Sequence, residues 1–164
     1  LGNGGSAANC AHITGDYTKT FSLYSTFIRM SSLSDNACYL TAVSNDLDYS
    51  EVFSLLIPGR IKKDDIVIFL SGSGNSMNLV KCAYKAKSNN IKTASVTGYN
   101  AGELGKVCDL SLHIPVNDME KVEDIQLVLF HFIKQELCRR LEKKGITPQY
   151  APRYDKRVDS GEIA

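Results

Sequence analysis

The sequence predicts one α/β domain built on a parallel sheet that helices cover on both faces. The first observation is a continuous apolar run at residues 65–70, which is typical of a strand buried on both sides. The second is that strand-like runs alternate with helix-like segments along most of the chain. The third is that two Gly/Ser-rich segments each stand between a predicted strand and a predicted helix. The chain has 164 residues, enough for one domain with a substantial core.

The first part of the chain predicts a helix, a strand and a second, shorter helix. Residues 6–27 follow a glycine loop and have a helical pattern, and the short apolar run at 37–43 predicts a strand. Residues 48–57 predict a short helix with Asp48 or Ser50 as its cap. We expect Pro58 and Gly59 to end that helix.

The remaining elements follow the strand at 65–70 in regular alternation. They are a helix at 76–88, a strand at 92–97, a short helix at 101–106, a strand at 110–114 and a long helix at 119–144. Gly145 is expected to end the long helix, because glycine favours the backbone conformation that follows a helix C-terminus. Residues 146–164 contain Pro148 and Pro152 and predict an extended tail, so the domain comprises residues 1–145.

Composition narrows the class of partner and the compartment. A net charge of +1 gives no general electrostatic reason to expect nucleic acid or an anionic membrane as partner. The sequence shows no apolar stretch of about 18 residues and no charged-then-apolar leader. Its five cysteines are scattered without a C-x-x-C pair, which favours buried thiols in a reducing compartment. We therefore expect a cytoplasmic protein.

The Gly/Ser-rich segment at residues 71–76 is a candidate phosphate site. Ser71, Ser73 and Ser76 offer hydroxyl donors, and Gly72 and Gly74 allow the backbone to approach a ligand closely. The N-terminus of the following helix adds backbone N–H groups and a positive dipole end, which favour an anion. The alternative is a serine-rich turn in which Ser76 merely caps the helix.

The first glycine segment admits a second interpretation. Residues 2–7 satisfy the pattern G-x-G-x-x-A of dinucleotide-binding loops. That fold also needs an acidic residue at the end of the next strand, roughly 20 residues further on. The next predicted strand is followed by Asp46 at about twice that distance, and neither loop continues into the Gly-Lys-Ser/Thr of a Walker A motif. We expect no nucleotide cofactor.

Each of two predicted helices carries polar residues that share one of its faces. His12 and Asp16 are four residues apart on the first helix. Glu123, Asp124 and His131 have spacings of seven and eight on the long helix, where His131 is predicted to lie within a buried apolar run. A buried histidine beside acids is costly unless it is paired or used. The plainer alternatives are a satisfied core histidine at 131 and a solvated face at 12 and 16.

Taken together, these motifs resemble the sugar isomerase (SIS) family. The resemblance lies in residues 2–8 with His12, residues 71–76, residues 96–98, and the helical stretch from Glu123 to His131. It covers roughly residues 1–143 and is greatest for the phosphoheptose isomerase branch, which converts sedoheptulose 7-phosphate into a heptose 7-phosphate. The family implies a three-layer sandwich with a five-stranded parallel sheet, a further helical region N-terminal to this sequence, and a homotetramer, or at least a homodimer, with active sites between subunits.

The resemblance also implies roles for individual residues. It makes Asp16 the base and His131 the acid of an enediol isomerisation, or the reverse for the other direction. Some family members bind zinc at the positions of His12, Asp16, Glu123 and His131, so zinc is the expected metal. It places the phosphorylated sugar on the following residues: Asn3, Gly4, Ser6, Ser71, Ser73, Asn75, Ser76 and Glu123.

Three positions depart from the pattern of that branch. Asp16 replaces a glutamate, Glu123 replaces a glutamine, and Gln126 replaces a histidine found in some relatives. The shorter carboxylate of Asp16 leaves two functions open. One is an isomerase, and the other is a non-catalytic SIS protein that binds a sugar phosphate as a sensor or acts as a scaffold.

Overall fold

A computed structural model describes residues 1–24 and 28–149 of the chain. Its centre is a parallel sheet of three strands, β1 (Ile66–Ser71), β2 (Lys92–Thr97) and β3 (Leu110–His113), which are adjacent in chain order. The α/β class with a parallel sheet is confirmed. The expectation of five strands is wrong for the described residues, where the sheet has three.

The chain start lies beside the outer edge of β1. The backbone nitrogen of Leu1 donates to the Ile68 carbonyl at 2.6 Å, and the Leu70 N–H donates to the Leu1 carbonyl at 2.9 Å. Leu1 therefore makes ladder-like bonds without belonging to a strand. The same contact brings Gly2 and the residues after it to the carboxyl end of β1, where the Ser71 loop begins.

Two apolar clusters cover the two faces of the sheet. Val67 and Phe69 of β1 belong to the cluster that includes Leu79 of helix α4 (Met77–Ser88). Leu70 belongs to the other cluster, with Tyr17 of the first helix and Phe130 of the last helix, and Ile68 packs against it. Alternate side chains of one strand thus enter opposite layers, as the two-residue period of a strand requires.

Helix α1 (Gly4–Phe21) and helix α6 (Met119–Lys143) form one layer and pack against each other. The predicted helices at 6–27 and 119–144 are confirmed in type; residues 25–27 lie outside the described part. Asp118 caps α6 by accepting from the Lys121 N–H at 3.2 Å. Gly145 follows α6 with a φ of +77°, in the left-handed region that favours glycine.

The predicted strand at residues 37–43 is wrong, because this segment is helix α2 (Ala37–Asp46). The side chain of Asn36 caps it by accepting from the Tyr39 N–H at 3.0 Å. Tyr39, Leu40 and Val43 then fall on one helical face and pack against the core. The short apolar run fits a helix as well as a strand, and the cap before it favours the helix.

The predicted helix at residues 48–57 is instead two turns of 3₁₀ helix (Tyr49–Glu51 and Ser54–Leu56), followed by the short helix α3 (Ile57–Arg60). Asp48 does cap the first turn, accepting from the Ser50 N–H at 2.8 Å. Pro58 and Gly59 lie inside α3 and do not end the preceding segment. Proline fits there because the first turn of a helix needs no N–H partner.

The other predicted elements are confirmed in type. Helix α4 follows the Ser loop, and the short helix α5 (Leu104–Val107) precedes β3. Of the predicted tail, residues 146–149 are described, and Ile146 packs against the α1–α6 layer. The tail from residue 150 onward lies outside the described residues. No helix in the described ranges combines the length and the apolar character that crossing a membrane requires.

Candidate active site

The Ser loop turns from the end of β1 into α4, and its own side chains hold it in shape. Ser71 Oγ accepts from the Gly74 N–H at 3.0 Å, and Ser73 Oγ accepts from the Asn75 N–H at 3.2 Å. Gly74 has a φ of +68°, which only glycine adopts without strain. Ser76 is the residue before α4, but its side chain makes no cap hydrogen bond. Ser76 therefore occupies the N-cap position of α4, as that alternative has it, but its hydroxyl does not cap the helix.

The start of α6 closes over both glycine loops. A Cβ atom at Gly5 would collide with the Glu123 carboxylate, and one at Gly72 would collide with the Met119 thioether. Between the loops is a cleft of about 360 Å³. It is lined by Asn3, Gly4, Gly5, Ser6, Leu70, Ser71, Gly72, Ser73, Ser76, Met119 and Glu123.

Seven of the eight residues predicted to bind the sugar phosphate line this cleft. Asn75 does not line it. Its Oδ1 accepts from the Glu103 N–H at 2.9 Å, and its Nδ2 donates to the Ser73 carbonyl at 3.2 Å. Asn75 thus braces the loop from the side of α5.

Asn3 is fixed by two residues that the sequence did not indicate. Asn3 and Asn78 exchange two amide hydrogen bonds of 2.9 Å each, and the Tyr49 hydroxyl donates to Asn3 Oδ1 at 2.9 Å. Asn78 lies on α4 and is only 2% exposed. A buried asparagine needs partners, but a single sequence gives no signal that its partner is 75 residues away.

Helices α1 and α6 are joined by a second polar group, next to the cleft. Ser6 Oγ donates to Glu123 Oε1 at 3.3 Å, and Asn9 Nδ2 donates to the Glu123 carbonyl at 2.9 Å and to Gln126 Oε1 at 3.2 Å. Gln126 is fully buried. A residue noted only as a replacement for histidine thus helps to fix the two helices that carry the acid–base groups.

About two turns further along α6, a group of ionisable side chains meets. His12 Nε2 and His131 Nε2 are 3.2 Å apart, and His131 Nε2 is 3.8 Å from Asp16 Oδ2. The prediction that His12 and Asp16 share a face of α1 that meets His131 is confirmed by these distances. Lys134 also belongs to the group, since its Nζ contacts Asp16 Oδ2. Lys134 is not among the residues predicted from the sequence, although its position three residues after His131 on a helix is a signal for it.

The prediction that His131 lies within a buried run is wrong, because its side chain is 42% exposed. Helix α6 buries only one face, with Val122, Gln126 and Phe130 as its buried residues. Val128 and Phe132 are 68% and 65% exposed on other faces. His131 is thus accessible to a ligand, which a core histidine would not be.

A hydrogen bond next to His131 joins helix α1 to helix α6. The Tyr17 hydroxyl donates to the Phe130 carbonyl at 2.7 Å, and Tyr17 is 3% exposed. Burial, with a smaller effect of the Asp16 charge, raises the pKa of Tyr17 to about 12. The phenol is therefore a neutral donor throughout the physiological pH range.

The donor atoms of His12, Asp16 and His131 suit a metal ion. One ligand atom from each lies within 4.8 Å of the others. Tetrahedral zinc holds nitrogen donors roughly 3.3 Å apart, and the two imidazole nitrogens here are 3.2 Å apart. Two imidazoles and one carboxylate match the ligand types of catalytic zinc sites. Glu123 is not in this group, because its carboxylate lies at the start of α1, eight residues or roughly 12 Å along α6 from His131.

The sequence and the fold are similar to those of proteins of known class. The SIS domain family matches residues 1–98. The phosphoheptose isomerase of Helicobacter pylori strain Shi470 is 33% identical over 144 residues, which are 88% of this chain and 75% of that protein. That of Burkholderia pseudomallei strain 1710b is 34% identical over 132 residues, covering 80% of this chain and 67% of that one. The phosphoheptose isomerase structure from Neisseria gonorrhoeae has a TM-score of 0.76 at 25% identity. The match covers 82% of this chain and 72% of that one.

The chain belongs to the SIS domain family. Within that family it belongs to the phosphoheptose isomerase branch.

Proposed function

We propose that this chain is a phosphosugar isomerase that interconverts sedoheptulose 7-phosphate and a heptose 7-phosphate. The observation that carries the proposal is the meeting of His12, Asp16 and His131 at 3.2 and 3.8 Å, on the two helices that also frame the cleft. A phosphate-binding cleft alone can only bind a sugar phosphate, whereas a carboxylate and an imidazole beside it can also transfer a proton.

In the proposed mechanism the sugar phosphate lies with its phosphate on the Ser loop, where Ser71, Ser73 and Ser76 hydroxyls and the N-terminus of α4 stabilise its charge. Asn3 and Glu123 line the cleft and contact the sugar hydroxyls. This placement leaves the carbonyl end of the sugar to reach toward the acid–base group on α1 and α6.

The chemistry needs one base and one acid. The Asp16 carboxylate removes the proton from C1 of the ketose, and His131 donates a proton to the carbonyl oxygen at C2, which gives the enediol. The proton then returns to C2 while the C1 hydroxyl loses its proton, so the aldose forms with no net gain or loss of protons. In the opposite direction the same path runs backwards, with Asp16 removing the proton from C2 and His131 donating a proton to the oxygen at C1.

A metal fits the same group. We propose zinc, held by His12, Asp16 and His131, with Glu123 assigned to the sugar instead of to the metal. When bound, the ion would polarise the substrate's carbonyl and stabilise negative charge on oxygen in place of the proton from His131, because an imidazole nitrogen that ligates zinc has no proton to donate. No nucleotide cofactor is part of the proposal.

The proposed partners are the phosphorylated sugar and further copies of this chain. Val128 and Phe132 expose 68% and 65% of their surface on either side of His131 along α6. Self-association through this face, to a homotetramer or at least a homodimer, would remove that apolar surface from water and enclose the acid–base group. Cys10, Cys82 and Cys108 are buried free thiols, which supports the proposed cytoplasmic location. We assign residues 1–145 to the SIS domain.

A non-catalytic sugar-phosphate-binding protein is the second candidate. It is favoured by one observation, the contact of Lys134 with Asp16 Oδ2, which occupies the proposed base. In that case the cleft would bind its ligand and the acid–base group would play no part.

An isomerase assay on sedoheptulose 7-phosphate, with and without a chelator, separates the two candidates. The wild-type chain should turn over the substrate, and Asp16→Asn and His131→Asn should turn it over far more slowly. Binding of the sugar phosphate without turnover in either condition would exclude the isomerase and leave the binding protein.

A further inference from the structure

Lys134 stands at the acid–base group with no role in the reaction described above. Its side chain is 19% exposed and that of Asp16 is 22% exposed, so their contact is partly shielded from water. Lys134 lies three residues after His131, which places both side chains on the side of α6 that faces α1.

The oxygen that Lys134 contacts is the one nearest the imidazole. Lys134 Nζ and His131 Nε2 both approach Asp16 Oδ2, the latter at 3.8 Å, which is beyond hydrogen-bond distance. The carboxylate is therefore held by the lysine and not by the histidine. A fixed positive charge already lies against the oxygen that would ligate a metal.

We propose that Lys134 is a positioning residue that acts as a built-in counter-cation of this site. Its ammonium fixes Asp16 Oδ2 in the absence of metal and competes with a divalent cation for the same oxygen. Metal binding requires the ammonium to move away or to remain as a like charge beside the ion, and either lowers metal affinity. The inference rests on the proposed function only in taking this group as the site of chemistry.

The test is a Zn²⁺ titration against a chromophoric competing chelator, followed without any substrate. Lys134→Met removes the charge and keeps an unbranched side chain of similar length. It should bind Zn²⁺ at least about tenfold more tightly than wild type, the scale on which groups next to ligands alter metal affinity. Lys134→Arg, which keeps the charge, should retain the wild-type affinity. Adding His131→Ala to Lys134→Met should abolish the gain, because the tighter site uses that imidazole.

Lys121→Met is the matched control. Lys121 is also on α6 and also pairs with an aspartate, Asp118, but it is 70% exposed and remote from the group. Its Zn²⁺ affinity should equal that of wild type, and circular dichroism should show every variant to be folded. Equal or weaker Zn²⁺ binding by folded Lys134→Met would overturn the inference. The titration involves no turnover, so this outcome is independent of whether the chain is an isomerase.

Discussion

The Glu123 carboxylate lies against Gly5, so close that a methyl group on Gly5 could not fit beside it. Ser6 Oγ donates to the same carboxylate at 3.3 Å. This contact joins the first turn of α1 to the start of α6 and forms one wall of the cleft. The wall can form in this way because residue 5 is glycine and has no Cβ atom.

Gly5→Ala should displace Glu123 and raise KM for the sugar phosphate several-fold. Stability should change little, because alanine favours the helix by up to about 1 kcal/mol and the carboxylate is the movable end of its side chain. Steady-state kinetics with thermal unfolding measure both effects. Gly15→Ala is the control, because a Cβ atom added at this position of the same helix would meet open space. It should raise stability by roughly 0.5–1 kcal/mol and leave KM unchanged. An unaltered KM in Gly5→Ala would show that Glu123 does not shape the sugar site.

Asp16→Asn and His131→Asn should affect kcat far more than KM. Each removes a proton-transfer group and keeps the size of the site, so kcat should fall by roughly 10²- to 10⁴-fold. Ser73→Ala should show the opposite pattern, because it removes a hydroxyl from the phosphate loop, and KM should rise while kcat changes less. Rates and sugar-phosphate affinities measured on the same preparations separate the two patterns. A His131→Asn variant with wild-type kcat would contradict the assigned acid.

The elements with strong local signals could be predicted from the sequence. The continuous apolar run of β1, the Ser loop and the long α6 each have a pattern that admits few alternatives. Helix α2 could not be predicted in this way, because a short apolar run fits a strand equally well until the cap at Asn36 is known to form. The sequence pattern was enough to predict an element whose own residues decide its conformation. It was not enough for α2, where one cap decides between helix and strand.

Some residues of the candidate site could be predicted from the sequence and others could not. His12, Asp16 and His131 stand at helical spacings that a sequence reveals, and resemblance to a family added their roles. Asn78 could not be found in this way, because its partner Asn3 is 75 residues away in the chain, whereas Lys134 does stand at a helical spacing from His131. Glu123 has the same spacing relation to His131 that suggested proximity, yet the helix places it about two turns away, against α1. The spacing of residues along one helix shows which of them share a face. It does not show which residues of another helix they contact.

The pair of amides formed by Asn3 and Asn78 should be sensitive to the loss of either member. Asn78→Ala leaves the buried side of Asn3 without its partner, which should lower the free energy of unfolding by roughly 1–3 kcal/mol. Tyr49→Phe removes only one hydrogen bond, from a half-exposed hydroxyl, and should cost less than about 1 kcal/mol. Urea denaturation gives both values. A loss in Tyr49→Phe equal to that in Asn78→Ala would show that the buried pair is not the element that holds Asn3.

Tyr17 gives the fold an alkaline-sensitive contact. Its pKa is raised to about 12 by burial, above the ordinary value of 10.0. A raised pKa means that folding favours the neutral phenol, so its contribution to stability is full below pH 10 and declines as pH rises from 10 toward 12. Tyr17→Phe should lower the free energy of unfolding by about 1 kcal/mol at pH 7, because the Phe130 carbonyl loses its donor. The difference between variant and wild type should then shrink as pH rises above 10. Urea unfolding of both proteins at pH 7, 9 and 11 measures this difference, and a difference that stays constant up to pH 11 would contradict the role given to the Tyr17 phenol.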